Sequence, residues 1–335
     1  MVAVVEFCRG DFPESVHQVD AVIVDRQAQV HWRTGADEAP VYWRSGAKPF
    51  QLLPFLAAGG ADRFGLAGAE IAVMVSSHSG AKFHVECVQG ILRKMQLSAE
   101  QLDCGVARPL DEEISRQMFR DGEPYANLHN DCSGKHAGML GLALLRGYPL
   151  TGYKEATHPL QAEMRCAVAR AAGLRPQELG EGVDGCGVPT FYLPLRSLAL
   201  AYANLARPEP AYWGDWTEPT LAVLSAMTRH PEYVGGEGRY ETNLMRLTGG
   251  RLVAKLGAEA TFCIGRCDTG AGFACKVRDG ALRVLPHLCT EVLVKNGWLS
   301  DAEADQMREW YPPLIRNDHG DAVGRIVVGG IEATF

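Results

Sequence analysis

The sequence predicts an α+β fold: one antiparallel sheet assembled from both ends of the chain, helices packed on it, and an inserted, mostly helical lobe. Three observations lead there. Short β-branched runs cluster at the two ends, the hydrophobic period lengthens to that of a helix in between, and Gly/Asp turns separate the later strands. Residues 2–7, 17–24 and 29–33 read as strands, the last two joined as a hairpin by DRQA at 25–28. Residues 251–255, 260–264, 272–277, 282–285 and 325–331 read as further strands. In the middle, Val85, Val88, Ile91, Leu92 and Met95 recur at helical spacing, and residues 137–145, 160–172, 195–205 and 221–227 share that period. The apolar run at 71–75 reads as a strand giving way to a turn, and RPEPAYWGDW at 207–216 as a surface loop. No linker divides the chain. Residues 1–335 are therefore expected to form a single catalytic unit, with the sheet from about 1–65 and 250–335 and the helical part from about 66–249.

Composition narrows the partners. With 335 residues, 47 % of them hydrophobic and 22 % charged, the chain has ample material for a core. A formal net charge of −7 and the lack of any Lys/Arg run argue against nucleic acid, which demands a concentrated basic face. The start of the chain is too briefly apolar before Cys8 and Arg9 to be a signal peptide or a membrane span. Ten cysteines without a secretion signal are expected to be free thiols or metal ligands, and the compartment cytoplasmic.

Five short segments carry chemistry. In RSGAKPF at 44–50, Ser45 precedes Lys48 by three residues at the start of an apolar run, which puts both on one face of a first helical turn. A desolvated lysine there can take the serine proton; a serine cap beside a solvated lysine fits the same spacing. SSHSG at 76–80 offers Ser77 either as an active-site hydroxyl or as a helix cap. NDCSGKHAGM at 130–139 and GVDGCGVPT at 182–190 each set one cysteine among glycines and polar groups. Cys132 and Cys186 brought together would bind Zn²⁺ with Lys135 or His136 as a third ligand, or would be two loop thiols beside an active site. The fifth segment, KLGAE at 255–259, places Lys255 at a strand end, where the Lys-Thr-Gly element of penicillin-recognising enzymes keeps its lysine opposite the nucleophile.

Together, RSGAKPFQ, SSHSG, NDCSGKHAGML, GVDGCGVPTF, HPEYVGGEGR and AKLGAE closely resemble the bacterial L-asparaginase II family, Rhizobium-type, over most of the chain from about Val5 to Leu285. The resemblance implies a serine-β-lactamase/glutaminase-like fold and hydrolysis of L-asparagine to L-aspartate and ammonia. It implies two Ser–Lys pairs, Ser45 with Lys48 and Ser77 with Lys255. It also implies one Zn²⁺ per chain on Cys132, Lys135 and Cys186, with Asp184 and His136 as substrate-site residues. A homodimer is expected. Two departures from the family pattern stand near the site: GGEGR at 235–239 replaces the usual AGTGR, and Leu256 follows Lys255 in place of glycine.

Chemically, the expected reaction is an acyl transfer in which Ser45 attacks and Lys48 takes its proton. Asp184 is expected to hold the substrate α-ammonium, and the metal to organise two loops, since the nucleophile is already a serine. Three readings compete with a strict asparaginase. These are a glutaminase-asparaginase, a penicillin-interacting serine hydrolase that shares Ser-x-x-Lys, and a non-catalytic zinc-binding protein that would need neither serine nor lysine.

Overall fold

The computed structural model describes residues 2–332. Eight strands form one antiparallel sheet. They are β1 (Ala3–Arg9), β2 (Phe12–Val24), β3 (Val30–Thr34), and, after a three-stranded interlude, β7 (Leu252–Gly257), β8 (Thr261–Arg266), β9 (Ala271–Val277), β10 (Leu314–Arg316) and β11 (Ala322–Gly329). The interlude is a small antiparallel sheet of β4 (Pro40–Tyr42), β5 (Gly180–Val183) and β6 (Pro189–Pro194), ordered β4-β6-β5. The large sheet runs β10-β11-β1-β2-β9-β8-β7, with β3 also paired to β2. As expected, both chain ends supply it: Val5 lies opposite Val328 in β11 and opposite His17 in β2.

Strand β2 begins earlier than its hydrophobic pattern indicates. Residues 12–16 are exposed or half-buried, so nothing alternates there, yet they pair with β1 beyond the turn at Gly10. The inner half of β2 is buried throughout and takes β9 on one edge and β3 on the other. Such continuous burial explains why Ala21–Val24 is an unbroken apolar run.

Three readings of short segments do not hold. Residues 282–285 are a 3₁₀ turn, Leu282–Val284, that opens the helix Leu285–Lys295. Pro286 pre-sets the first-turn backbone, and Leu288, Cys289, Val292 and Leu293 bury one helical face. Residues 71–75 lie mainly in the helix Gly68–Met74, where a short apolar run is as natural in a buried helix as in a buried strand. Residues 207–216 hold a helical turn, Pro210–Trp213, whose Trp213 is fully buried and donates its indole N–H to Asn204 O at 3.0 Å. The aromatic side chains anchor that stretch to the core, with Arg170 stacked over the rings of both Trp213 and Trp216.

The helix Leu195–Ala206 lies across the sheet. At Gly272 in β9, an added Cβ would sit 1.9 Å from Ala199 O, so only glycine allows this close approach. Pressing that helix onto β8 and β9 brings Tyr202 beneath the Arg44–Ala47 turn, where its hydroxyl donates to Gly46 O at 2.9 Å. The segment carrying Ser45 is thereby pinned against β7, the edge strand that carries Lys255. Among the described residues no helix is long and apolar enough to cross a membrane.

Candidate active site

Four local structures converge beside β7. The first is the turn Arg44–Ala47, followed by the helical turn Lys48–Gln51. Arg44 has φ +54°, a left-handed conformation rare for a side chain of its size, and it immediately precedes Ser45. Strain of this kind persists only where the surroundings impose it, and here buried Trp43 and the Tyr202 hydrogen bond do so. From this turn Lys48 reaches inward and is 1 % exposed.

The second structure is the loop that follows Gly68–Met74. Ser76 Oγ donates to Val73 O at 2.7 Å and caps that helix end. Gly80 N–H donates to His78 Nδ1 at 3.2 Å, so Nε2 carries the proton and donates to Ser133 Oγ at 2.8 Å. Burial and neighbouring His84 push His78 down to about 3, which keeps it a neutral strut. Between these fixed points stands Ser77. Its Oγ lies 2.9 Å from Lys48 Nζ and 2.9 Å from Lys255 Nζ.

The two lysines are driven apart in basicity. Lys255 is completely buried, and desolvation, reinforced by the charge of Lys48, brings it down to about 7. Burial also opposes the charge on Lys48, but the acidic groups Cys132 and Asp131 outweigh it and its net shift is upward. Asp131 Oδ2 lies 3.3 Å from Lys48 Nζ, and Ser76 O accepts from it at 2.7 Å. Among the described residues no hydrogen bond joins Lys48 to Ser45. The lysine turns to Ser77 instead.

The third and fourth structures bring the cysteines together. Asn130 shapes its loop by accepting the Cys132 N–H at 2.9 Å and donating to Cys104 O at 2.9 Å, which delivers Cys132 to the start of the helix Ser133–Arg146. The β5–β6 turn closes through Asp184 N–H to Val188 O at 2.8 Å and presents Asp184 and Cys186. Ligand atoms of Cys132, Asp184 and Cys186 all lie within 4.8 Å of one another, a buried group able to hold a metal ion. Lys135 Nζ donates to Cys186 Sγ at 3.1 Å. Hydrogen bonding from Cys132 and the charge of Lys135 hold Cys186 well below the ordinary thiol range, against the effect of burial. This donor set suits a soft or borderline divalent cation.

Ser45, Ser77, Asp131, Cys132, Asp184 and Cys186 line one cavity of about 370 Å³, with Arg44 and Arg239 on its wall. Another cavity, of about 300 Å³ near Pro286 and Tyr311, holds none of these groups. His136 does not reach the active cavity. It is fully buried with Nδ1 2.8 Å from the Tyr153 hydroxyl, and its ring interacts with the Cys186 thiol, which it helps hold low. Asp184 is not a free carboxylate, because Arg44 Nε donates to its Oδ1 at 2.8 Å.

Three further charged residues sit in the site: Arg44, Asp131 and Arg239. All lie inside the quoted sequence blocks, beside Ser45, beside Cys132 and at the end of GGEGR. Adjacency is the only sign they carried, since nothing in one sequence tells an inward charge from a surface one. A search of curated proteins finds no match. The family model for L-asparaginase II matches residues 5–328. By that match over nearly its whole length, the chain belongs to the L-asparaginase II family, the Rhizobium-type asparaginases, and is an asparagine amidohydrolase.

Proposed function

We propose that this enzyme hydrolyses L-asparagine through an acyl-enzyme on Ser45, with Lys48, Ser77 and Lys255 acting as one proton relay. The observation that carries it is Ser77 Oγ at 2.9 Å from both lysines. One lysine is held charged and the other gives up its proton as pH rises through about 7, so above that pH the pair shares a single proton across the Ser77 hydroxyl. When that proton passes to Lys255, Lys48 becomes the neutral base beside the attacking serine. Ser45 Oγ then bonds to the amide carbon as Lys48 takes its proton. Collapse breaks the C–N bond while Ser77 gives its proton to the departing nitrogen and is refilled from a lysine. Water repeats the sequence on the ester and releases aspartate.

Developing charge on the tetrahedral oxygen calls for fixed donors. The Ser45 N–H and an N–H on the open edge of β7 are the proposed pair. Arg44 and Asp184 offer a cation and a carboxylate side by side, a match for the α-carboxylate and α-ammonium of one amino acid. The helical layer over a terminal-strand sheet, with the nucleophile at a helix start and a lysine on the facing edge strand, favours a serine-β-lactamase/glutaminase-like arrangement working as one catalytic unit.

We further propose one Zn²⁺ per chain held by Cys132, Cys186 and Lys135. The donors fit: two thiols, one of them held low, a lysine amine already on Cys186, and the His136 ring beside that thiol. Bound zinc would neutralise the thiolates and fix both loops, and it would require Lys135 to lose its proton. Metal analysis of protein purified without added zinc is expected to give one equivalent, lost in Cys186→Ser. Absence of zinc that dialysis against Zn²⁺ fails to restore would leave Cys132 and Cys186 as loop thiols.

Chain length should matter as well. With its α-groups anchored at Arg44 and Asp184, glutamine carries its amide carbon past Ser45 by roughly one C–C bond, and a ~1 Å misplacement costs on the order of 100-fold. Steady-state ammonia release is expected to show kcat/KM for glutamine at least about 100-fold below that for asparagine, mostly in kcat. Comparable values would make the enzyme a glutaminase-asparaginase.

A further inference from the structure

We infer that Arg239 is a positioning residue that clamps the Ser77 backbone, so that the Ser77 hydroxyl stays centred between Lys48 and Lys255. The inference rests on the relay proposed above and adds a residue to it. Ser77 is gripped at both ends by one segment: its N–H donates to Val234 O at 3.0 Å, and its C=O accepts from Arg239 Nη1 at 3.1 Å. That segment is itself held from several sides. His84 Nε2 lies 2.8 Å from Glu232 O, Thr242 Oγ1 donates to Pro231 O at 3.2 Å, and the Tyr311 hydroxyl donates to Gly238 O at 2.8 Å. Gly236, at φ +129°, packs so tightly on Ser79 that a Cβ would meet Ser79 Oγ at 2.6 Å.

Beneath the guanidinium lies Glu241, 1 % exposed, with Oε1 3.2 Å from Arg239 Nη2. Arg239 is thus braced by a buried carboxylate below and directed at the Ser77 carbonyl above. With its N–H held by Val234 O and its C=O by a charged donor, Ser77 has little freedom to rotate, and its Cα–Cβ bond is oriented with its backbone. The groups facing Lys255 are Lys48, Glu241, Arg239 and Asp131, and among them Arg239 opposes a proton on Lys255. One residue therefore acts twice: it places the relay hydroxyl, and it helps keep the relay base neutral.

The test compares Arg239→Gln, Arg239→Lys and the double variant Arg239→Gln/Glu241→Gln, which avoids stranding a buried carboxylate. The substrates are asparagine and a β-aspartyl nitrophenyl ester, whose leaving group departs without a proton. In Arg239→Gln, kcat on asparagine is expected to fall about 100-fold with KM little changed. Ester turnover should stay close to wild type, and the acid limb of the kcat/KM profile should move to higher pH. Arg239→Lys should recover part of kcat, and the double variant should show the same loss on asparagine while folding normally. A rise in KM with kcat intact would overturn the inference and make Arg239 a substrate-binding group; so would equal losses on amide and ester. Ser77→Ala separates the two levels. If it still releases ammonia at the wild-type rate, the relay itself fails. If it is inactive on asparagine while Arg239→Gln is not, only the role of Arg239 fails.

Discussion

Ser45→Ala is expected to lose asparagine hydrolysis by on the order of 10⁴-fold in kcat, with the fold and the metal content unchanged. A serine that forms the acyl bond has no substitute in the site, whereas its removal takes away only a small side chain at the cavity wall. Lys48→Ala should be as damaging, because it removes the base and breaks the contact with Ser77. Ser77→Ala should behave differently. It is expected to fall about 10²- to 10⁴-fold on asparagine, the usual worth of a positioned proton donor. On an activated β-aspartyl ester it should turn over nearly as well as wild type, while Ser45→Ala stays inactive on both. Mass spectrometry of the trapped intermediate makes the same distinction directly. An acyl adduct on Ser77, or more than a few per cent of wild-type kcat in Ser45→Ala, would exchange the roles of the two serines.

Lys255→Met is expected to inactivate the enzyme and stabilise it at once. For activity, the lysine pair must be short of one proton. Below about pH 7 Lys255 is protonated, both lysines are charged and neither serves as a base. In the wild type, kcat/KM should therefore climb with pH up to about 7 and level off above it. The variant should lose about 10²-fold or more and show no inflection there. For stability the sign follows from proton counts. The unfolded lysine titrates near 10.5 and the folded one near 7, so between those values only the unfolded chain binds the proton. Stability thus rises with pH across that window, and below it the full cost of burying a cation is present. A methionine of similar length removes that cost, and a melting temperature several degrees higher at neutral pH is expected. A melting temperature that falls, with the inflection kept, would mean that Lys255 is an ordinary buried cation and not the relay base.

The sheet was legible where burial is one-sided or complete. The inner part of β2 shows itself in a β-branched run, and β7, β8 and β9 in short apolar segments set off by Gly/Asp turns. The outer part of β2 does not, because its residues 12–16 have no buried face to mark. Short segments misled in two places, at 71–75 and 282–285, since a few apolar residues suit a buried helix as well as a strand. In the site, spacing pointed to Ser45 and Lys48, and the family resemblance added Ser77, Lys255, Cys132, Lys135 and Cys186, but neither said who touches whom. Ser45 and Lys48 are three residues apart on a helical start, yet the long lysine side chain follows the oxygen atoms of Ser76, Ser77 and Asp131 instead. Asp184 and His136 were assigned to substrate by their blocks alone. The geometry ties the first to Arg44 and the second to Tyr153.

The pairing of β1 with β11 ties together the first and last strands among the described residues. As the chain emerges from the ribosome, β1 and β2 can form their hairpin at once, but the other edge of β1 must wait until nearly all the remaining residues are synthesised. Contacts of such long range slow folding, since loop-closure entropy is spent before the strands reward it. Meanwhile an unpaired strand edge is open to neighbouring chains. The charged side chains of Glu6 and Arg9 along β1 suit that interval, because a charged edge is a poor template for aggregation.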